Sequence, residues 1–366
     1  MDGASGEYPT AMRQIQTVIC VHSIPAAPWR FTVAGARLDL TISRKELDMK
    51  AAIVEVAGKA PVYGDFEDPI PTAGEVSINV IAAALSQVTR SRASGTHYSS
   101  AGRLPLVPGI DGVGRLADGR RVYFAMPRAP FGSMAERVVV RAEQCVTLPD
   151  DLDEVTAAAI ANPGMSSWVA MKERAKLATG EIVLINGATG TAGRLAVQIA
   201  KYLGAKKVIA AARDAKALEE VAALGADVTI TLTADPNELE KSFKVQFSSG
   251  VDVVIDYLWG MSAERLLIAA AKAGREAVPI RFVNIGSVSG SEITLPSAVL
   301  RSSALQLMGS GIGSVPLGRL INATGEVLAA AIPGRFKIVT HGVPLSRVEE
   351  AWPIAGNSPR TVFRVG

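Results

Sequence analysis

The sequence predicts an α/β protein in which a doubly wound parallel sheet follows a smaller β-rich region. From about Glu173 onward, short continuous apolar runs, such as residues 182–185 and 208–212, alternate with amphipathic stretches such as residues 194–203. This alternation is typical of buried parallel strands that are connected by helices. Between Met49 and that point, short strand-like segments are separated by proline and glycine, which is typical of a β-rich domain.

Composition excludes several classes of protein. The chain has 366 residues, of which 48% are hydrophobic and 20% charged, so it can bury domain cores and is not a disordered chain. Lysine and arginine exceed aspartate and glutamate by only 38 to 35, and 5% of residues are aromatic, so no nucleic-acid partner is predicted. No apolar run reaches the length of about 18 residues that a membrane helix needs, so no membrane association is predicted. The two cysteines do not suggest a disulfide framework, and a cytoplasmic location is expected.

Residues 1–48 differ from the rest of the chain because they show no sustained periodicity. The strand-like pattern begins with Met49 and its neighbours, whose sequence reads MKAAIVE. We interpret residues 1–48 as an extension that is either disordered or translated from upstream of the natural start.

One segment has the spacing of a dinucleotide-binding turn. Residues 186–193 read NGATGTAG and stand between a predicted strand and a predicted helix. In such turns one glycine allows the tight bend, one lets the backbone approach a pyrophosphate, and one lets helix and strand pack closely. The helix N-terminus then offers N–H groups to the phosphates. We therefore predict nucleotide binding, with a purely structural turn as the alternative, by Gly187, Gly190, Thr191, Ala192 and Gly193.

The end of the next strand selects between the two nicotinamide cofactors. A domain that selects NAD places an acidic residue there, about 20 residues after the turn, to hold the ribose hydroxyls. Here Ala212 occupies that position and Arg213 follows, and a guanidinium suits a ribose 2′-phosphate. Asp214 is interpreted as the cap of the next helix. Lys216 either assists with the phosphate or lies on a solvated helix face, and NADPH is the predicted cofactor.

Six segments carry a resemblance to a known family. In chain order they are residues 49–52 (MKAA), 108–114 (PGIDGVG), 132–136 (GSMAE), 162–167 (NPGMSS), 187–193 (GATGTAG) and 224–227 (LGAD). On these segments the chain resembles the medium-chain dehydrogenase/reductase superfamily, and within it the zinc-independent quinone oxidoreductase branch. The resemblance implies a GroES-like catalytic domain at 49–172, an inserted Rossmann domain at 173–317, and a return to the catalytic domain at 318–366. It further implies an active site in the cleft between the domains and a homodimer.

The chain departs from its zinc-dependent relatives at the metal ligands. Those relatives have Gly-His-Glu where this chain has Gly109-Ile110-Asp111, and isoleucine cannot bind zinc. Their first cysteine ligand falls near Ser86, where this chain has no cysteine, and the four-cysteine structural lobe is missing. These departures from the zinc-dependent relatives therefore predict that no metal is bound.

The remaining candidate residues lie on the substrate side and around the nicotinamide. Ser86, Tyr98 and Tyr257 are the candidate hydroxyl donors of the substrate pocket. The alternatives are a solvated or capping hydroxyl for Ser86, a pocket wall for Tyr98, and for Tyr257 a bulky ring that reshapes the pocket or only packs. By resemblance, Met165 and Ser166 shape the nicotinamide side. Gly286 and Ser310 follow later predicted strands, and their backbone groups are expected to approach the nicotinamide.

Hydride transfer without a metal favours substrates that delocalise the charge that develops. A simple ketone concentrates this charge on one oxygen and depends on a strong donor or a metal, whereas a quinone or enone spreads it by conjugation. The sequence therefore predicts an NADPH-dependent reductase of a quinone or an α,β-unsaturated carbonyl. The alternatives are a zinc-free alcohol dehydrogenase and a non-catalytic NADPH-binding sensor.

Overall fold

The structure is a computed structural model that describes residues 29–33, 36–40, 48–96, 104–354 and 359–366. The chain divides into two compact units, Met1–Leu47 and Asp48–Gly366. In the first unit, strands β1 (Trp29–Val33) and β2 (Ala36–Leu40) form an antiparallel hairpin. This hairpin lies within the stretch that was interpreted as an extension.

The second unit contains two larger sheets with helices packed against them. Its described strands are β3 (Asp48–Ile53), β4 (Val62–Glu67), β5 (Glu75–Ala84), β6 (Asp111–Leu116), β7 (Arg121–Ala125), β8 (Arg137–Arg141), β9 (Cys145–Thr147), β10 (Ile182–Asn186), β11 (Lys207–Ala212), β12 (Val228–Thr231), β13 (Val253–Asp256), β14 (Ile280–Asn284), β15 (Leu305–Gly309), β16 (Thr340–Pro344) and β17 (Arg360–Arg364). Its described helices are α1 (Gln87–Ala93), α2 (Glu154–Val169), α3 (Thr191–Tyr202), α4 (Ala215–Ala223), α5 (Pro236–Ser248), α6 (Gly260–Ala273), α7 (Ser297–Arg301), α8 (Leu317–Ala331) and α9 (Val348–Ile354). No helix in the described ranges combines the length and the apolar character needed to cross a membrane.

The first large sheet has the strand order β16-β17-β5-β6-β7-β9, and β8 also pairs with β5. Strand β17 is antiparallel to β5, with Val362 opposite Ala84, so the end of the chain completes a sheet that residues 75–147 begin. The boundaries at residues 172 and 317 remain a prediction.

The second large sheet is parallel throughout and has the order β12-β11-β10-β13-β14-β15. Its central strands are buried because their continuous apolar runs are covered on both faces, as the sequence indicates for β10 and β11. Strand order reverses around β10, which has β11 on one side and β13 on the other. A ligand site is expected at the carboxyl ends of the strands beside such a reversal. The predicted doubly wound sheet is thus confirmed.

Helix α2 joins the two sheets through a shared hydrophobic core. Its first half is rich in alanine and buried, and its buried residues belong to a cluster that includes Val113 of the first sheet and Ile185 of the second. Gly164 permits a close approach to α8, because a Cβ at this position would lie 2.7 Å from Val327. The core therefore continues from one sheet to the other.

Candidate functional site

The predicted nucleotide turn connects β10 to α3, as the glycine spacing requires. Gly187 adopts φ +94°, and its N–H donates to the carbonyl of Ala211 at 2.8 Å. A Cβ on Gly193 would lie 2.6 Å from the Cα of Ala188 and against the carbonyl of Gly187, so only glycine lets α3 start this close to the strand. Gly190 is different, because a Cβ there would meet only the Gly187 carbonyl at 3.7 Å. The space at Gly190 is therefore available to a ligand.

The N-terminus of α3 provides an anion-binding surface. Gly190 is the residue that precedes α3, and it contributes no side-chain cap to the N–H groups of the first turn. The N–H groups and the helix dipole favour a phosphate at this point. Arg194 braces the turn: its Nε donates to the Thr189 carbonyl at 2.9 Å and its guanidinium pairs with Glu220 at 2.8 Å. This bracing residue was not singled out by its sequence position.

Arg213 lies where a 2′-phosphate-binding residue would be needed. It follows β11 directly, is exposed, and makes no hydrogen bond or ion pair with another described residue. Asp214 caps α4 by accepting from the Ala217 N–H at 3.0 Å, as predicted, so its carboxylate is turned to the helix. Lys216 is exposed in the first turn of α4. The guanidinium of Arg213 is thus available to an anionic ligand at the edge of the turn.

A buried carboxylate organises the carboxyl ends of three neighbouring strands. Asp256, at the end of β13, accepts from Asn186 of β10 at 2.8 Å and from Asn284 of β14 at 3.0 Å. It also accepts from the N–H groups of Leu258 and Trp259 at 3.1 and 3.2 Å. Burial raises the pKa of Asp256, while these hydrogen bonds oppose the shift. Asp256 therefore sets the position of the loop beneath the nucleotide turn.

Tyr257, a candidate donor, is buried, and its hydroxyl is engaged by another residue. Its Oη lies 2.7 Å from Oγ of Ser167 on α2. Ser167 has one proton, and carbonyl acceptors stand at Pro163 and Ala192 at 2.9 and 3.3 Å, so we assign Tyr257 as donor to Ser167. Burial raises the pKa of Tyr257. This geometry fits the packing alternative for Tyr257 and links α2 to the strand end.

Ser86 is the N-cap of α1. Its Oγ accepts from the Thr89 N–H at 3.0 Å and lies 2.9 Å from the Thr89 hydroxyl. This contact fits the capping alternative for Ser86. Ile110, in the position of the histidine ligand of zinc-dependent relatives, is buried. Tyr98 lies outside the described residues.

The remaining predicted residues lie along helix α2 and the carboxyl edge of the parallel sheet. Met165 and Ser166 are half-buried on α2, where Ser166 donates to the Pro163 carbonyl at 2.9 Å. Gly286 follows β14 and permits close packing, because a Cβ there would lie 2.8 Å from the carbonyl of Tyr257. Ser310 follows β15, and its N–H donates to the Asn284 carbonyl at 2.8 Å.

The sequence did not single out a buried polar cluster in the first sheet. Asp111 accepts from the Tyr123 hydroxyl at 3.3 Å, and burial raises the pKa of Asp111 to about 6, against the opposing charge of Arg360. Within the described ranges, Oδ1 of Asp111 and Nε and Nη2 of Arg360 have no hydrogen-bond partner. Asp111 does lie in one of the family segments, but Arg360 begins the last strand and has no local sequence signal.

Comparisons with known proteins agree with this architecture. A family model described as "Zinc-binding dehydrogenase" matches residues 192–328. A probable NADPH-dependent quinone reductase of Emericella nidulans is 30% identical over 350 residues, which cover 83% of this chain and 96% of that protein. The quinone oxidoreductase of Sus scrofa is 29% identical and covers 76% of this chain and 82% of its own length.

Solved structures give the same result for the fold. A quinone oxidoreductase from Thermus thermophilus, described alone and in complex with NADPH, is 28% identical with a TM-score of 0.71. The match covers 86% of this chain and 100% of that chain. A mycobacterial quinone oxidoreductase has a TM-score of 0.74 at 20% identity, over 86% of this chain and 99% of its own. These matches confirm the fold class, in which a Rossmann domain accompanies a GroES-like domain.

Proposed function

Because the chain belongs to the quinone oxidoreductase branch of the medium-chain dehydrogenase/reductase superfamily, we propose that it reduces a quinone or α,β-unsaturated carbonyl without zinc. NADPH is its cofactor and supplies the hydride. The observation that carries the proposal is the nucleotide site: an open Gly190, an uncapped helix N-terminus and the available guanidinium of Arg213. Met165, Ser166, Gly286 and Ser310 surround the nicotinamide end in this proposal.

The substrate-side residues support a reaction that needs no metal. In the described ranges, no group of three histidine, cysteine, aspartate or glutamate residues is placed to hold a metal ion. Ile110 is apolar, and the Ser86 hydroxyl is used in capping α1. Hydride addition to a quinone gives a hydroquinone anion whose charge is delocalised, and this anion takes its proton from solvent. The protein therefore needs only to bind and orient both reactants.

An NADPH-oxidation screen tests the proposal. Quinones, enones, alkenals and simple ketones are supplied at equal concentration, with and without a chelator, and absorbance at the NADPH band is followed. We expect turnover of the conjugated substrates, unchanged by the chelator. Turnover confined to simple ketones or alcohols would favour the alcohol dehydrogenase, and NADPH binding without any turnover would favour the sensor.

We also propose a homodimer in the cytoplasm. Strand β15 is the edge of the parallel sheet, and Leu307 on it is 39% exposed. An uncovered edge strand offers unpaired N–H and carbonyl groups to a second copy. Light scattering on the wild type and on Leu307→Lys tests this proposal, since the charge should shift a dimer toward monomer.

A further inference from the structure

A cavity of about 310 Å³ lies beside helix α1 in the first-sheet part of the molecule. Its wall is largely apolar. The wall includes Leu106, Val107, Pro108, Ile110, Pro130 and Phe131. Ligand pockets run from about 300 to 1,000 Å³ and combine apolar walls with a few polar groups. The cavity is therefore large enough for a molecule of one or two rings.

The cavity adjoins two positions that the family resemblance of the sequence assigns to the substrate side. Ile110 forms part of its wall, in the position where zinc-dependent relatives carry a ligand to the metal. Thr89 also lines it and is hydrogen-bonded to Ser86, near which the first cysteine ligand of zinc-dependent relatives falls. These two contacts identify the cavity as a candidate for the substrate pocket.

Arg92 is the charged residue among the described members of the wall. Its side chain is half-buried, and its Nη1 donates to the thioether sulfur of Met126 at 3.9 Å. Thioether sulfur is a weak acceptor that carries no charge. Burial lowers the pKa of Arg92, with no carboxylate to oppose the shift. Among the described residues, the guanidinium thus lacks the anionic partner that a half-buried cation normally has.

Three other half-buried arginines of this chain do have such partners. Arg121 pairs with Glu154 at 3.3 Å, Arg137 with Asp68 at 2.5 Å and Arg281 with Glu181 at 2.5 Å. Within the described ranges no carboxylate lies within ion-pair distance of Arg92, and the sequence of residues 97–103 contains no aspartate or glutamate. Arg92 therefore differs from these three arginines, and it lines the cavity.

We propose that this cavity binds the carbonyl substrate of the proposed reductase and that Arg92 binds an anionic oxygen on it. The preferred substrate is then an acidic aromatic carbonyl compound, in which an ionised hydroxyl or carboxylate accompanies the reducible group. The apolar wall holds the ring, and the guanidinium donates paired N–H groups to the anion. This inference rests on the proposed function, because it assigns a substrate class to the same reaction.

Paired substrates test the inference. 1,4-Naphthoquinone and its 2-sulfonate share a ring system and differ in charge. For each quinone, the KM of a variant is divided by the KM of the wild type, and the two ratios are then compared. We expect Arg92→Gln to raise the KM for the sulfonate about 10- to 100-fold, because the variant loses a hydrogen bond to a charged group. The KM for the neutral quinone should change less than about threefold. Arg92→Lys should restore part of the affinity because it restores the charge.

A matched control lies on the neighbouring loop. Arg128 stands between cavity-lining residues but does not itself line the cavity. Unlike Arg92, it pairs with a carboxylate, that of Glu75, at 2.9 Å. Arg128→Gln removes the same charge and should leave both KM values unchanged. A sulfonate KM that responds equally to both glutamine variants would show a general field effect and would overturn the inference.

The remaining outcomes separate this inference from the proposed function. If Arg92→Gln affects both quinones equally while turnover continues, the inference fails and the proposed function stands. If neither quinone oxidises NADPH, the proposed function fails, and calorimetric binding of naphthalene-2-sulfonate still tests Arg92. Equal binding of that anion by the wild type and by Arg92→Gln overturns the inference.

Discussion

Two arginines with no carboxylate partner in the described ranges are assigned to ligand recognition in these proposals. Arg213 follows β11 at the edge of the nucleotide turn, and Arg92 lines the cavity beside α1. Both side chains carry a charge that the described residues leave uncompensated, which fits ligand anions on cofactor and substrate respectively. The same residue type thus serves two recognition tasks, because a guanidinium presents a planar fork of donors to an oxyanion.

Replacement of Arg213 by alanine should weaken NADPH binding selectively. Each hydrogen bond to a charged group contributes about 1.5–3 kcal/mol, so the expected loss is about 10- to 100-fold in Kd. NADH lacks the 2′-phosphate, and its affinity should barely change. Titration of each cofactor into wild type and variant measures both affinities, and the same titration of Lys216→Ala decides between the two roles predicted for Lys216. Equal losses for both cofactors would remove Arg213 from the phosphate site.

Tyr257→Phe separates a linking role from a proton-donor role. The hydroxyl is hydrogen-bonded to Ser167, so its removal should lower the free energy of unfolding by about 1 kcal/mol. Because the hydroxyl is engaged in this contact, kcat for a quinone should stay within about twofold of the wild type. Urea unfolding and steady-state kinetics measure the two effects. A fall in kcat of about 100-fold or more would instead make Tyr257 a general acid.

Among the elements, the turn between β10 and α3 uses its glycines for different purposes. Gly193 is required by packing within the protein, whereas Gly190 leaves space that nothing in the described structure fills. Close packing against the backbone alone explains why residue 193 is glycine. A ligand that approaches the backbone explains why residue 190 is glycine.

Alanine substitutions at these two positions should therefore have opposite effects. Gly190 has φ −70°, which alanine adopts readily, so Gly190→Ala should change stability by less than about 0.5 kcal/mol and weaken NADPH binding at least about tenfold. Gly193→Ala should destabilise the protein by about 3 kcal/mol, because a Cβ there meets backbone atoms. Thermal unfolding and cofactor titration distinguish the two. Unchanged NADPH affinity in a folded Gly190→Ala variant would contradict a phosphate at this turn.

At the scale of the whole molecule, polar contacts join segments that are remote in the chain. The Asp111 carboxylate on β6 accepts from Tyr123 on β7 and faces the charge of Arg360 on β17. Thr324 on α8 opposes the rise in the pKa of Tyr123 that burial causes. The cluster therefore connects the early strands of the first sheet with the returning C-terminal stretch. Its buried groups make it sensitive to pH.

The free energy of unfolding should depend on pH through the ionisation of Asp111. Its pKa is about 6 when folded and 3.8 in its ordinary state, so the folded protein holds this proton more tightly. The stabilising contribution is complete below about pH 4 and is lost as pH rises through 6. Relative to Asp111→Asn, the wild type should lose about 2 kcal/mol between pH 4.5 and pH 8. A difference in unfolding free energy that is independent of pH would contradict the raised pKa.

Short-range patterns in the sequence determined the elements of the parallel sheet and the nucleotide turn. The strand at residues 182–185, the helix cap at Asp214 and the glycine turn were predicted because turn angles, caps and burial periodicity depend on residues close in sequence. The structure confirms each of these. Helix α2 was missed, because its Pro163 and Gly164 indicate a break that tertiary packing against α8 overrides.

Only the tertiary structure decided how the candidate hydroxyls and charges are used. The contact between Tyr257 and Ser167 spans 90 residues, and the cluster of Asp111, Tyr123 and Arg360 brings three strands together. The cavity around Arg92 is lined by segments from three parts of the chain. No local window contains both partners of such a contact, and burial, which sets their hydrogen bonding and charge, exists only after the sheets have packed.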